Sequence, residues 1–285
     1  MLWFQGLDKA PYVVRKCHES WVTRNPGWQV ATLDDAGLPG LLSADYHAGN
    51  FAGLSMQHRA DLVRLDLLNR HGGVWVDATC YCLRPLDEWL WPHLGSGFFA
   101  FSDPAPDRML SNWFLAAQAN NVLVARMYER LLSYWGDHEL SDDRQRLSVR
   151  ALTRLLRGSA RTRAWWFSRS VTGGLGISPY YVFHYAFEKL MREDPESAAV
   201  WEQTPKISAV PPHRLHQAGL LSPVSSTVRS EIDRQAVPVY KTAWKFETGA
   251  IPSDSNLDYL LDGRPFPPEA GCGLGTKPRT RGARR

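Results

Sequence analysis

Between residues 55 and 86 the chain reads as an amphipathic helix, an abrupt stop, a short buried strand and a carboxylate at the strand's end. Ala60, Val63 and Leu67, with Leu62, Leu65 and Leu68 one strip over, recur at helical spacing across 59–69 and form a wide apolar face. Ser55 stands where a hydroxyl can accept from an unpaired amide of the first turn. Arg70 and His71 fall in the last turn, where cations suit the negative end of the helix dipole. Gly72-Gly73 follows, and glycine takes left-handed conformations without a Cβ clash. Val74-Trp75-Val76 is a β-prone run, and Asp77 comes directly after it.

Asp61 and Arg64 are three residues apart and share one face of that helix. In open α/β sheets, ligands bind outside the carboxyl ends of the strands, which is where Asp77 is expected. A helix that stops at Gly72-Gly73 can therefore bring Asp61 and Arg64 to Asp77 over one hollow. Two acids and a base suit a ligand with both hydroxyls and phosphate, such as a nucleotide sugar.

Ala60-Asp61-Leu62-Val63-Arg64 followed by Gly72-Gly73-Val74-Trp75-Val76-Asp77-Ala78-Thr79 resembles the core signature of the capsular polysaccharide synthesis glycosyltransferases, relatives of the Asp-X-Asp sugar transferases. The resemblance implies a GT-A-like α/β fold with a mixed, mostly parallel central sheet flanked by helices. It implies that Asp61 and Arg64 contact the donor sugar and phosphate, and that Asp77 is the first Asp of the motif and a ligand of Mn²⁺ or Mg²⁺. The second Asp, which usually touches the metal, is replaced by Thr79. The family also opens with a Trp-X-Gln-Gly segment like Trp3-Phe4-Gln5-Gly6. By that likeness Trp3 stacks on the base, with core filling as its alternative, and Gln5 hydrogen-bonds beside it. Lys241, in a C-terminal Lys-X-Thr-like stretch, is implied at the diphosphate. Asn112 and His184 are implied on the acceptor side, His184 having a hydrogen-bonded core histidine as its alternative reading. Pro179 stands near the place where relatives carry an Asp.

The rest of the chain fills in around this segment. Pro11 to Thr23 has helical periodicity. Trp28 to Leu33 reads as a strand ending at Asp34-Asp35, where a carboxylate could touch a ribose or simply be solvated. Phe98 to Phe101 is β-prone, Val122 to Trp135 is an amphipathic helix, and Ser178 to Leu190 is an aromatic one. Eight arginines occur between 142 and 169. Four of them, Arg150, Arg154, Arg157 and Arg161, form a stripe, with Leu152, Leu155 and Leu156 free to face the core. The stripe reads either as a basic rim for an anionic or membrane-borne acceptor or as a solvated face. Thr172-Gly173-Gly174-Leu175-Gly176 reads as a tight loop. His213 and His216, three apart, are a weak metal-ligand signal.

Charge placement argues against nucleic acid. Lys277, Arg279, Arg281, Arg284 and Arg285 crowd the end, and without them 28 basic residues face 29 acidic ones. The expected organisation is one domain over 1–262 and a basic, disordered tail over 263–285. Cys17, Cys80, Cys82 and Cys272 lack zinc spacing and read as reduced, buried thiols. No apolar run approaches a membrane span, so a cytoplasmic location is expected, with peripheral contact at the inner membrane surface. The implied function is transfer of a hexose from a UDP-sugar to a capsular or surface polysaccharide or its lipid-linked precursor, with retention. The alternative is a catalytically degenerate, transferase-like scaffold that binds nucleotide or polysaccharide.

Overall fold

A computed structural model of the chain describes residues 1–137, 151, 154–171, 178–246 and 248–261. The loop at 172–176, Arg150, Leu152, Cys272 and the 263–285 tail lie outside the described residues. Helix α1 (Tyr12–Arg24) is followed by α2 (Met56–His71), β1 (Gly73–Val76), β2 (Cys80–Cys82), β3 (Phe98–Ala105), β4 (Arg108–Ala117) and α3 (Val122–Gly136). Farther along come α4 (Val182–Glu193), α5 (Pro195–Gln203) and β5 (Val239–Lys241).

The central device forms as its residues dictate. The Ser55 hydroxyl accepts from His58 N at 3.3 Å and caps α2. Gly72 ends the helix at φ 65°, ψ −159°, and Gly73 follows at φ 93°. A Cβ on Gly72 would lie 2.6 Å from Ala119 N and 3.0 Å from Ala117 O, because the chain here presses against the end of β4. Gly72→Ala is therefore expected to cost about 2–3 kcal/mol in urea unfolding. Gly73→Ala, with nothing within 4 Å of its Cβ, should cost about 1 kcal/mol from conformation alone.

The expected mostly parallel sheet is replaced by antiparallel ladders. The described strands form a three-stranded sheet of order β1-β4-β3 and a two-stranded one, β2-β5, and every ladder is antiparallel. Parallel pairing is confined to isolated bridges, Leu2 with Leu33 and Ser102 with Ser208. The reason is local at β3–β4, where Ala105 pairs with Arg108 across the two-residue turn Pro106-Asp107, a connection that can only reverse the chain. The strand expected at 28–33 shrinks to that one Leu2–Leu33 bridge.

Strand pleating splits the core into two layers. On one face Trp75, Phe98, Ala100 and Leu115 pack with Leu62, Leu65, Leu131, Trp135, Phe183 and Phe187 from α2, α3 and α4. On the other face Val76, Phe99, Phe101 and Phe114 pack with Trp21 and Trp89. This two-sided burial is why Phe98 to Phe101 is apolar without alternation. A third cluster joins Val13 and Cys17 of α1 to Tyr81, Tyr240, Leu257 and Leu260 around the β2–β5 ladder. Its register sets Cys80 opposite Lys241, Tyr81 opposite Tyr240 and Cys82 opposite Val239.

Cys17, Cys80 and Cys82 are buried free thiols, and burial pushes Cys17 up to about 12. Helix α4 begins at Val182, later than the sequence pattern implied, after the buried Pro179. Leu156 is buried as expected, but Leu155 is 69% exposed and does not face the core. No described helix is long and apolar enough to cross a membrane.

Candidate functional site

Helix α2, the end of β1, β5 and the start of α4 meet around a cavity of about 780 Å³. Trp3, Gln5, Asp61, Arg64, Asp77, Thr79, Asn112, His184 and Lys241 all line it. Asp34 and Asp35 do not. Asp34 accepts from Gly37 N at 2.8 Å, and Asp35 pairs with His47 at 3.1 Å.

Arg64 is the hinge of the charged group. One guanidinium nitrogen donates to Asp61 Oδ1 and the other donates to Asp77 Oδ1 at 3.0 Å. Its planar head lies 5.0 Å from the Trp75 ring and 5.8 Å from that of Phe183, a stacking that suits guanidinium. Asn112 Nδ2 donates to Asp61 Oδ1 at 2.9 Å. Asp77 continues the sheet through its amide, which donates to Trp113 O at 2.8 Å. Trp75 Nε1 also donates to Asp77 Oδ1, at 3.1 Å, while Lys241 Nζ donates to Asp77 Oδ2 and to Thr79 Oγ1, each at 2.8 Å.

These contacts set the charge states. Burial works against a charged Asp77, but Lys241 and Arg64 outweigh it and hold the carboxyl below its ordinary range. Burial likewise works against a charged Lys241, and the attraction of Asp77 reverses the effect and raises it. For Asp61 burial wins over Arg64, pushing the carboxyl up from 3.8 to about 6. The folded state thus holds the Asp61 proton more tightly than the unfolded chain does. The stability from this group is full below about pH 4 and is lost as pH rises through about 6. Asp61→Asn has no such proton. Between pH 4 and 6.5 the unfolding free energy of the wild type should fall by about 2–3 kcal/mol relative to the variant, measured by urea unfolding.

His184 is buried on α4, and burial with Arg108 and Arg64 nearby lowers it to about 3. It is neutral near pH 7 and a weak base, and its Nδ1 has no protein partner. Trp3 is half-buried on the cavity wall and packs edge-on against Trp244, with ring centroids 5.7 Å apart. Gln5 is at the lip, where Nε2 reaches Met56 Sδ at 3.5 Å.

Sequence reading missed several cavity residues. Trp75 is a buried core residue that also reaches the cavity wall: it sits two residues before Asp77, so both side chains leave the strand on the same side. Tyr180, Tyr181, Arg108 and Trp244 also line the space. Tyr180 and Trp244 are 69% and 45% exposed, giving the mouth an aromatic rim. Arg108 stacks 4.4 Å from the Tyr181 ring.

The arginine stripe is not a free basic rim throughout. Arg157 donates to Asp107 Oδ2 at 3.1–3.2 Å, while Arg154 and Arg161 are exposed.

A divalent ion at Asp77 fits these residues poorly. Both Asp77 oxygens already accept from cations, and the Thr79 hydroxyl accepts from Lys241. Among the described residues no three His, Cys, Asp or Glu side chains cluster to hold a metal. His213 and His216 lie 5.9 Å apart by ring centroid, and His213 Nε2 accepts from Trp113 Nε1 at 3.1 Å.

Several known proteins resemble this chain. O-glycosyltransferase braB of Annulohypoxylon truncatum is 29% identical over 153 residues, covering 47% of this chain and 36% of that protein. The probable glycosyltransferase FCK3 of Fusarium pseudograminearum is 28% identical over 131 residues, 42% of this chain and 32% of that protein. Glycosyltransferase afumC of Aspergillus fumigatus is 29% identical over 153 residues, 47% of this chain and 39% of that protein. The chain thus spans about a third of the length of these curated relatives. A solved structure titled PaToxG Glycosyltransferase aligns over 92% of this chain and 84% of that one with a TM-score of 0.36 and 13% identity, too distant to carry an argument. The model of the family described as capsular polysaccharide synthesis protein matches residues 1–144, the half that holds the capped helix, its glycine stop and Asp77. The chain belongs to that family.

Proposed function

We propose that the chain transfers a hexose from a nucleoside-diphosphate donor, a UDP-sugar first among them, to a hydroxyl of a surface polysaccharide or its lipid-linked precursor, on a GT-A-like scaffold. The observation that carries this reading is the Asp61–Arg64–Asp77–Lys241 group, two acids and two bases on one cavity wall. The relatives' names support a sugar transferase.

Cleaving the sugar–phosphate bond builds negative charge on the departing diphosphate. Preorganised cations in a partly dry site stabilise it most effectively. Arg64 and Lys241 supply those cations, and Asp61 holds donor hydroxyls, with Asn112 bonded to it and facing the acceptor side. Trp3 gives the base a stacking face beside Gln5, and the rim of Tyr180 and Trp244 receives the acceptor. Both carboxylates lining the cavity are tied to Arg64 or Lys241, and His184 is a weak base. The oxygen leaving with the diphosphate is then the base nearest the acceptor hydroxyl, which fits attack from the leaving group's side and retention.

Calorimetry with UDP tests donor binding. Turnover of a radiolabelled UDP-sugar separates an enzyme from a nucleotide-binding scaffold. Transfer or slow donor hydrolysis supports the enzyme. Tight UDP binding with no release of labelled sugar would establish the scaffold instead.

A further inference from the structure

We propose that Lys241 is a tethered substitute for the divalent ion of Asp-X-Asp sugar transferases, so that this chain binds and uses its donor without Mn²⁺ or Mg²⁺. The inference rests on the transferase reading above and deepens it. Lys241 Nζ bridges Asp77 Oδ2 and Thr79 Oγ1 at 2.8 Å each, the residues that stand at the two acidic positions of that motif.

The charges match the exchange. Two carboxylates carrying two negative charges suit a divalent ion. One carboxylate and one hydroxyl carry a single charge and suit an ammonium. Thr79 in place of the second Asp and Lys241 in the ion's seat are two halves of one substitution. Asp77's other oxygen is not free either, since it accepts from Arg64 and Trp75. A divalent ion there would lie beside two cations and find few of the six or more oxygens such ions take.

The placement is built into the backbone. Cys80 pairs with Lys241 in the β2–β5 ladder, and the Thr242 amide and hydroxyl both donate to Thr79 O at 2.8 Å. The Lys241 side chain is only 18% exposed. An ammonium has three donors, and two are spent on Asp77 and Thr79. The third is left for a phosphate oxygen.

The test uses purified full chain and three readouts. UDP titrations by calorimetry in EDTA and in MnCl₂ should give dissociation constants within 3-fold of each other. Mn²⁺ added to nucleotide-free protein should keep the EPR signal of the free ion. Lys241→Met should weaken UDP binding at least 10-fold in EDTA, without rescue by Mn²⁺. Thr79→Asp combined with Lys241→Ala should create dependence, binding UDP at least 10-fold tighter with Mn²⁺ than with EDTA. Wild-type UDP binding that weakens 10-fold or more in EDTA overturns the inference and leaves the transferase reading standing. Failure to bind UDP, GDP or ADP in either buffer removes both.

Discussion

Asp77→Ala is expected to weaken UDP binding by at least 100-fold in calorimetry and to reduce sugar turnover to background. Asp77 accepts from Arg64, Trp75 and Lys241 at 3.0, 3.1 and 2.8 Å. It therefore places both cations that would meet the diphosphate. Without it, among the described residues, the Lys241 ammonium keeps Thr79 as its hydrogen-bond partner and Arg64 keeps Asp61. Loss of one preorganised charge contact typically costs 100- to 1000-fold in rate, and here one substitution releases two. Asp77→Asn separates geometry from charge. It keeps the shape and an acceptor oxygen, so it should fold better than Asp77→Ala yet lose nearly as much binding. UDP affinity unchanged within 3-fold in both variants would remove Asp77 from the site.

The largest stability loss is expected at Arg64. It is 3% exposed and joins Asp61 to Asp77 while stacking on Trp75. Arg64→Met keeps much of the volume but strands Asp61 in a buried setting where desolvation already raises it. Breaking a buried pair from one side costs about 3–5 kcal/mol, and urea unfolding should show a loss of that size. Adding Asp61→Asn should return part of it, because the second change removes the stranded charge. The cycle of single and double variants gives the coupling directly. A loss under about 1 kcal/mol for Arg64→Met, well below the range for a buried pair, would show that the pair is effectively solvated. The same helix supplies a contrast in Asp66, which is fully buried yet accepts from Ser43 and Tyr46 and anchors a loop, away from the cavity.

What could be read from the sequence was mostly local. The Ser55 cap, the glycine stop and the strand ending at Asp77 are set by neighbours in the chain, and the structure has them where the pattern placed them. Strand partners are chosen across long separations, so the antiparallel order escaped, although Pro106-Asp107 between apolar runs was a hairpin signal. Trp28 to Leu33 had the propensity of a strand but found only one bridge, since propensity does not supply a neighbour. At the site, the residues brought by resemblance share one cavity. Their pairing did not follow from the pattern, because whether Lys241 faces a ligand or already holds Asp77 depends on a ladder joining distant segments.

That ladder is three residues long on each side. Tyr240, next to Lys241, is buried in a different cluster and points to the opposite face. A deletion or insertion of one residue shortly before Val239 would shift the frame of this pairing and offer a phenol where the ammonium belongs. The segment leading into β5 should therefore tolerate exchanges of residue type far better than changes of length.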